Sequence, residues 1–104
     1  MIKMNEQTKR IVSEILKYKN KEFLAVGAIM EFHELIDALM KNIYRKTDNR
    51  ADIFEEMADA YIMLEFLKNA YGFSDTEIWD YLNKKMPEKW SEKIEKWKVE
   101  AGGQ

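Results

Sequence analysis

Apolar residues recur at helical spacing along almost the whole chain. Ile11, Val12, Ile15 and Leu16 form a stripe that predicts a first helix over roughly residues 4 to 18. Ala25, Ala28, Ile29, Phe32, Leu35, Ile36, Leu39 and Ile43 repeat the pattern and predict a second helix from about Lys21 to Arg45. The polar run Lys46-Thr47-Asp48-Asn49-Arg50, rich in capping residues, breaks the pattern before a third helix from about Ala51 to Tyr71. Gly72 suits the C-terminal cap of that helix, and Ser74-Asp75-Thr76-Glu77 reads as a capping box opening a fourth. Pro87 is expected to end the fourth helix and to sit in the first turn of a fifth, which carries Trp90, Ile94 and Trp97 on one face. The tail Ala101-Gly102-Gly103-Gln104 is expected to fray.

The third helix differs from its neighbours. Ile53, Phe54, Met57, Ala58, Ala60, Tyr61, Ile62, Met63, Leu64, Phe66 and Leu67 leave it apolar on nearly every side. A helix apolar all round needs burial all round, and a chain of 104 residues has little material to provide it. Two arrangements meet the need: terminal helices wrapped around it within one chain, or, as the expectation adopted, a homodimer or homotetramer. One proline and four glycines in the whole sequence reinforce the helical reading. The fold class expected is all-α, a single-domain bundle of four to five helices over residues 1–104. It divides into an N-terminal helix (1–20), a central helix pair (21–71), C-terminal helices (72–100) and a tail (101–104).

Composition narrows the chemistry. Charged residues make up 35% of the chain yet the formal net charge is only −2, so no broad basic field invites nucleic acid. Cysteine is absent, which removes disulfides, thiolate metal sites and cysteine nucleophiles; the one histidine, His33, cannot build a histidine metal centre alone. The N-terminal segment MIKMNEQTKR lacks the apolar stretch of a signal peptide, and no window reaches the about 18 apolar residues of a membrane span. A cytoplasmic protein without membrane contact is the expectation.

Four acids stand out. Positions three apart on a helix lie about 60° apart and one turn along. Glu31 and Glu34 therefore share a face of the second helix, and Glu56 and Asp59 repeat the arrangement on the third. The turn between the helices is short enough to make them antiparallel, so each acid pair can face the other. Small residues, Gly27 and Ala38, leave room on the Glu31 face, and Lys41 and Arg45 follow on it one and two turns later. Asp52, Ala60 and Met63 share the face of Glu56 and Asp59. Ionised carboxylates crowded in a bundle repel and lose hydration, a cost that a hard divalent cation relieves. An all-oxygen donor set favours Mg2+ or Mn2+ over zinc or copper. Di-iron bundles also use helical glutamates but require two Glu-x-x-His pairs, which one histidine cannot supply. By spacing alone, a solvated acidic face and a metal site both remain open.

At these residues the sequence resembles the MazG-like all-α nucleotide pyrophosphohydrolases, relatives of the dimeric dUTPases. The family pattern, E-E-x-x-E followed after a spacer by E-x-x-D, corresponds to Met30-Glu31-Phe32-His33-Glu34 and Glu56-Met57-Ala58-Asp59, and the likeness extends over roughly residues 24 to 94. The resemblance implies that Glu31, Glu34, Glu56 and Asp59 coordinate magnesium bound to a nucleoside triphosphate. It also implies phosphate contacts from basic residues beyond the third helix, here Lys85, Lys89 and Lys93, the last preceding Ile94. Two departures are plain. Met30 stands where the family has its first glutamate, with Glu55 the nearest substitute acid, and Pro87 interrupts the alignment of Lys85 with Lys89.

The activity expected on this basis is Mg2+-dependent cleavage of a nucleoside triphosphate to the monophosphate and pyrophosphate, with Mn2+ as a possible replacement. No serine, cysteine or histidine constellation offers a covalent nucleophile, so water is the expected attacker, oriented by Glu34 or Glu56. Lys41, Arg45, Lys85, Lys89 and Lys93 would offset phosphate charge, and Phe23, Phe66, Trp79 and Trp90 are candidates to stack on a base. The alternative is a non-catalytic helical interaction module or nucleotide-binding module with a degenerate site.

Overall fold

The computed structural model describes residues 3–102. They form four helices and no strand: α1 (Glu6–Tyr18), α2 (Lys21–Tyr44), α3 (Arg50–Ala70) and α4 (Asp75–Glu100). Met1, Ile2, Gly103 and Gln104 lie outside the described residues, and with them half of the tail expected to fray. The chain divides into two compact units, residues 1–72 with α1 to α3 and residues 73–104 with α4. Among the described residues no helix is long and apolar enough to cross a membrane.

Polar caps set the helix starts. Asn5 accepts a hydrogen bond from the Thr8 N–H at 2.8 Å and Asn20 does the same for Phe23 at 2.8 Å, each satisfying a donor that the first helical turn leaves free. Ser74 and Glu77 form the capping box read from the sequence: Ser74 Oγ accepts from the Glu77 N–H at 3.1 Å, while Glu77 Oε1 accepts from the Ser74 N–H at 3.2 Å. Gly72 takes φ of +76° just beyond α3, the left-handed conformation that glycine adopts without steric cost.

Helices α2 and α3 form an antiparallel hairpin whose facing residues can be followed along its length. At the open end the Lys21 ammonium lies 5.0 Å from the centre of the Tyr71 ring, and Leu24 packs with Phe66. At the turn the Thr47 N–H donates to the Lys41 carbonyl at 3.2 Å, and Asn42 Nδ2 donates to the Thr47 carbonyl at 3.3 Å. Asn49, the N-cap of α3, donates from Nδ2 across to the Ala38 carbonyl at 2.9 Å. Small buried side chains, Ala28 and Ala38 on α2 and Ala60 on α3, line the interval between these ends. Helix α1 closes the open end, where Val12, Leu24 and Phe66 are buried, with Met4, Ile15, Leu16, Ile62, Met63 and Ala70 packed against them. Glu65 lies in this half of α3 at 3% exposure, paired with Lys68 one turn on at 2.8 Å. A carboxylate so deeply buried requires such a partner.

One expectation is corrected, and one need is left open. Helix α4 runs unbroken through Pro87, so there are four helices rather than five. Proline's fixed φ suits a helix, and the carbonyl at Asn83 that loses its donor belongs to an exposed residue that water can serve. Within the first unit α3 is not covered all round: Phe54 keeps 76% of its surface exposed, and Met57, Tyr61 and Leu64 are exposed as well. Helices α1 and α2 cover only the side of α3 that carries Ala60, Glu65 and Phe66. Phe66 accordingly belongs to the core and is withdrawn as a base-stacking candidate.

The close approach of α2 to its neighbours gives a packing test. Ala28 is 1% exposed, so Ala28→Leu is expected to lower unfolding free energy by about 1–3 kcal/mol through overpacking. Met30→Leu, on the exposed side of the same helix, should leave it unchanged in the same denaturant titration.

Candidate metal centre

The register just described carries Glu31 opposite Asp59 and Glu34 opposite Glu56, midway between the apolar core and the turn. One carboxylate oxygen from each of Glu31, Glu56 and Asp59 lies within 4.8 Å of the other two. Octahedral magnesium, with bonds of about 2.1 Å, places its ligand oxygens about 3–4.2 Å apart, so this trio could grip an ion with little displacement. Glu34 completes the group. Its carboxylate lies close enough to Glu31 and Glu56 for its charge to act on both. All four acids singled out by spacing are thus brought together by the fold.

The electrostatics record the crowding. Partial burial, then the neighbouring Glu34 and Asp59 charges, push the Glu31 carboxyl above its ordinary 4.5. The same causes in the same order raise Glu56, with Glu31 adding to them. One oxygen on each, Oε2, is buried with no protein hydrogen-bond partner. A carboxylate acts only as an acceptor when ionised, so each orphaned oxygen needs a donor or a cation. Oxygen donors alone, converging and unsatisfied, fit a hard divalent ion such as Mg2+ or Mn2+.

The remaining sequence candidates fall in different places. Lys41 lies on the wall of a cleft that begins at Glu34 and Glu56 and extends toward the turn. Arg45 is the exposed C-cap of α2, with its N–H donating to the Lys41 carbonyl, and is not part of that wall. Lys85, Lys89 and Lys93 belong to α4, in the other unit. There Lys85 lies 3.9 Å from Glu88, and the ammonium groups of Lys89 and Lys93 sit over the Trp90 ring at 5.7 and 4.6 Å from its centre. Met30 is 62% exposed and brings no donor to the centre, and Glu55 is exposed. Three cleft residues escaped the sequence reading as site residues: Asp37, Asp52 and Asn49. Asp37 and Asp52 each continue an acid ladder by one turn, a signal that was available; Asn49 looked like an ordinary cap.

No family model, curated protein or solved structure matches the chain.

The raised carboxyls predict an inverted pH response. In metal-free protein the folded state holds protons on Glu31 and Glu56 more tightly than the unfolded chain does. Stability therefore falls as pH rises from the unfolded carboxylate value, about 4.5, through the raised folded values. Thermal melts followed downward from neutral pH should show this contribution as a gain on entering that window, and Glu31→Gln should flatten it. The same melts at neutral pH should shift upward with Mg2+ or Mn2+, by about 2.7 kcal/mol at a hundredfold excess over Kd, and the shift should disappear in Asp59→Asn.

Proposed function

We propose that the chain is a Mg2+-dependent nucleoside triphosphate pyrophosphohydrolase of the MazG-like class, releasing monophosphate and pyrophosphate. The observation that carries this reading is the convergence of three carboxylates from two helices, Glu31, Glu56 and Asp59, two of them with buried, unpartnered oxygens. Glu31, Glu34, Glu56 and Asp59 would hold the ion. When bound it would neutralise phosphate charge and lower the pKa of a coordinated water. Cleavage breaks the bond between the α-phosphorus and its bridging oxygen as water oxygen bonds to that phosphorus; the water proton passes to a carboxylate and pyrophosphate departs. Glu34, beside both Glu31 and Glu56, is the first choice for that proton-accepting role. Glu56, whose raised pKa marks it as a ready proton acceptor, is the second choice. Lys41, on the wall beside these acids, would offset phosphate charge. Arg45 and, by the sequence resemblance, Lys85, Lys89 and Lys93 remain candidate phosphate contacts, with exposed Phe23 or Trp79 as candidates to meet a base.

The working form in this proposal is a homodimer or homotetramer. Ile29, Met30, Ile36 and Met40 on α2, with Phe54 and Tyr61 on α3, expose an apolar area that a second copy would cover. A binding-only protein is the second reading, and the observation in its favour is Met30, an exposed thioether where the pyrophosphohydrolase pattern has an acid.

Incubation with a mixed nucleotide panel and Mg2+ or Mn2+, with products identified, is expected to give equimolar monophosphate and pyrophosphate. Glu56→Gln and Asp59→Asn should each reduce turnover by about 10²-fold or more while helical content is unchanged. No release with either metal favours the binding-only reading, and full activity in both variants would remove these acids from the chemistry. Light scattering should return at least twice the mass of one chain; a strict monomer would refute the assembly.

A further inference from the structure

Asn49 sits at the N-cap of α3 and is only 7% exposed. An asparagine there ordinarily turns its side-chain oxygen back to a backbone N–H two or three residues on. Asn49 makes no such bond. Its Nδ2 donates instead to the Ala38 carbonyl of α2, at 2.9 Å. That carbonyl lies inside α2, where the regular helical ladder already supplies it with a donor four residues on. The other end of the amide, Oδ1, is buried and has no protein partner. A buried acceptor without a donor is unfavourable to the fold. A cap is forgone, an oxygen is orphaned, and the bond gained goes to a carbonyl that did not need it.

What that bond supplies is alignment. Apolar burial at the open end of the hairpin draws α2 and α3 together without direction. Between the ends lie Ala28, Ala38 and Ala60, whose small side chains interlock little and resist sliding weakly. A hydrogen bond of 2.9 Å is lost beyond about 3.5 Å, so it opposes an axial slip of more than about half an ångström. A ligand set needs its groups held to about the same tolerance. Ala38 stands seven residues from Glu31, and Asn49 seven residues from Glu56, so the bond anchors each helix two turns from an acid of the centre. The oxygens of those two acids and of Asp59 lie within 4.8 Å of one another, a spacing that a slip of one residue would destroy. Coiled helices use a buried asparagine in the same way, fixing register at a cost in stability.

We infer that Asn49 is the positioning residue of the carboxylate centre, its amide holding α3 against α2 in the register that brings Glu31, Glu56 and Asp59 together. It acts through the two helices and not on an ion. The inference rests on the metal centre and is independent of nucleotide hydrolysis.

The test reads register, ion affinity and stability separately. The chain has no cysteine, so Val26→Cys with Glu55→Cys, exposed positions on α2 and α3, accepts a pair of nitroxide labels. Double electron–electron resonance should give one narrow distance in the otherwise unaltered chain. Adding Asn49→Leu should broaden that distance or move it by about 1.5 Å or more, the rise of one residue. In the unlabelled chain Asn49→Leu should weaken Mn2+ binding about tenfold, as loss of a group that orients ligands does. Its denaturation midpoint should not fall, because the orphaned oxygen goes with the amide. Asn49→Asp keeps the shape and removes only the donor; it should alter the label distance likewise, and carries the test if Asn49→Leu does not fold. Label distances unchanged in both variants would overturn the inference, and a lowered midpoint beside them would make Asn49 a merely structural residue. An altered register with Mn2+ affinity held within about twofold would overturn it too. If the unsubstituted chain binds no Mn2+, the metal reading fails, while the label distances still decide whether Asn49 aligns the acids.

Discussion

The register of α2 against α3 is the constraint on which the rest depends. It is held from both ends by different physics. At the open end, burial of Leu24 and Phe66 against Val12 of α1 draws the helices together without fixing their axial position closely. At the turn, the directional bond from Asn49 to the Ala38 carbonyl, with Thr47 and Asn42 bonded back across the connection, sets that position. A shift of one residue would turn the acids of one helix about 100° away from those of the other. The apolar end supplies attraction and the polar end supplies alignment.

That division explains why an electrostatically unfavourable arrangement survives. Glu31, Glu34, Glu56 and Asp59 gather midway along the hairpin, where packing does not repay their repulsion and the Lys41 ammonium on the cleft wall is outnumbered. The core and the turn lie on either side and hold them in place. Local rules are broken where the acids meet, while the caps of α1 and α2, the capping box of α4 and the small residues between the helices obey them. Such a localised exception sets this stretch of the hairpin apart from the scaffold around it.

Much of this was legible in the residues. Apolar periodicity located α1, α2 and α3 to within one or two residues, because each has a stripe and a polar boundary, and the three-residue spacing of the acids placed them on facing surfaces. The continuity of α4 was not legible. Pro87 is as acceptable at a helix start as it is costly inside one, and only the exposure of Asn83 makes the interior position tolerable. Apolarity around α3 signalled a need for burial but could not say what supplies it; α1 and α2 leave Phe54 and Tyr61 open. The role of Asn49 was hidden for a different reason. Its backbone position is that of a helix cap, and only the three-dimensional turn reveals that the side chain reaches α2 instead of its own helix.

The upward push on the Glu31 and Glu56 carboxyls has a further consequence. Each holds its proton to a higher pH than a solvated carboxyl does, so a cation binding to them would have to displace acid. Ion uptake at such a centre would exchange one kind of positive charge for another. Its apparent affinity would rise with pH, and its measured heat would include the ionisation heat of the surrounding buffer.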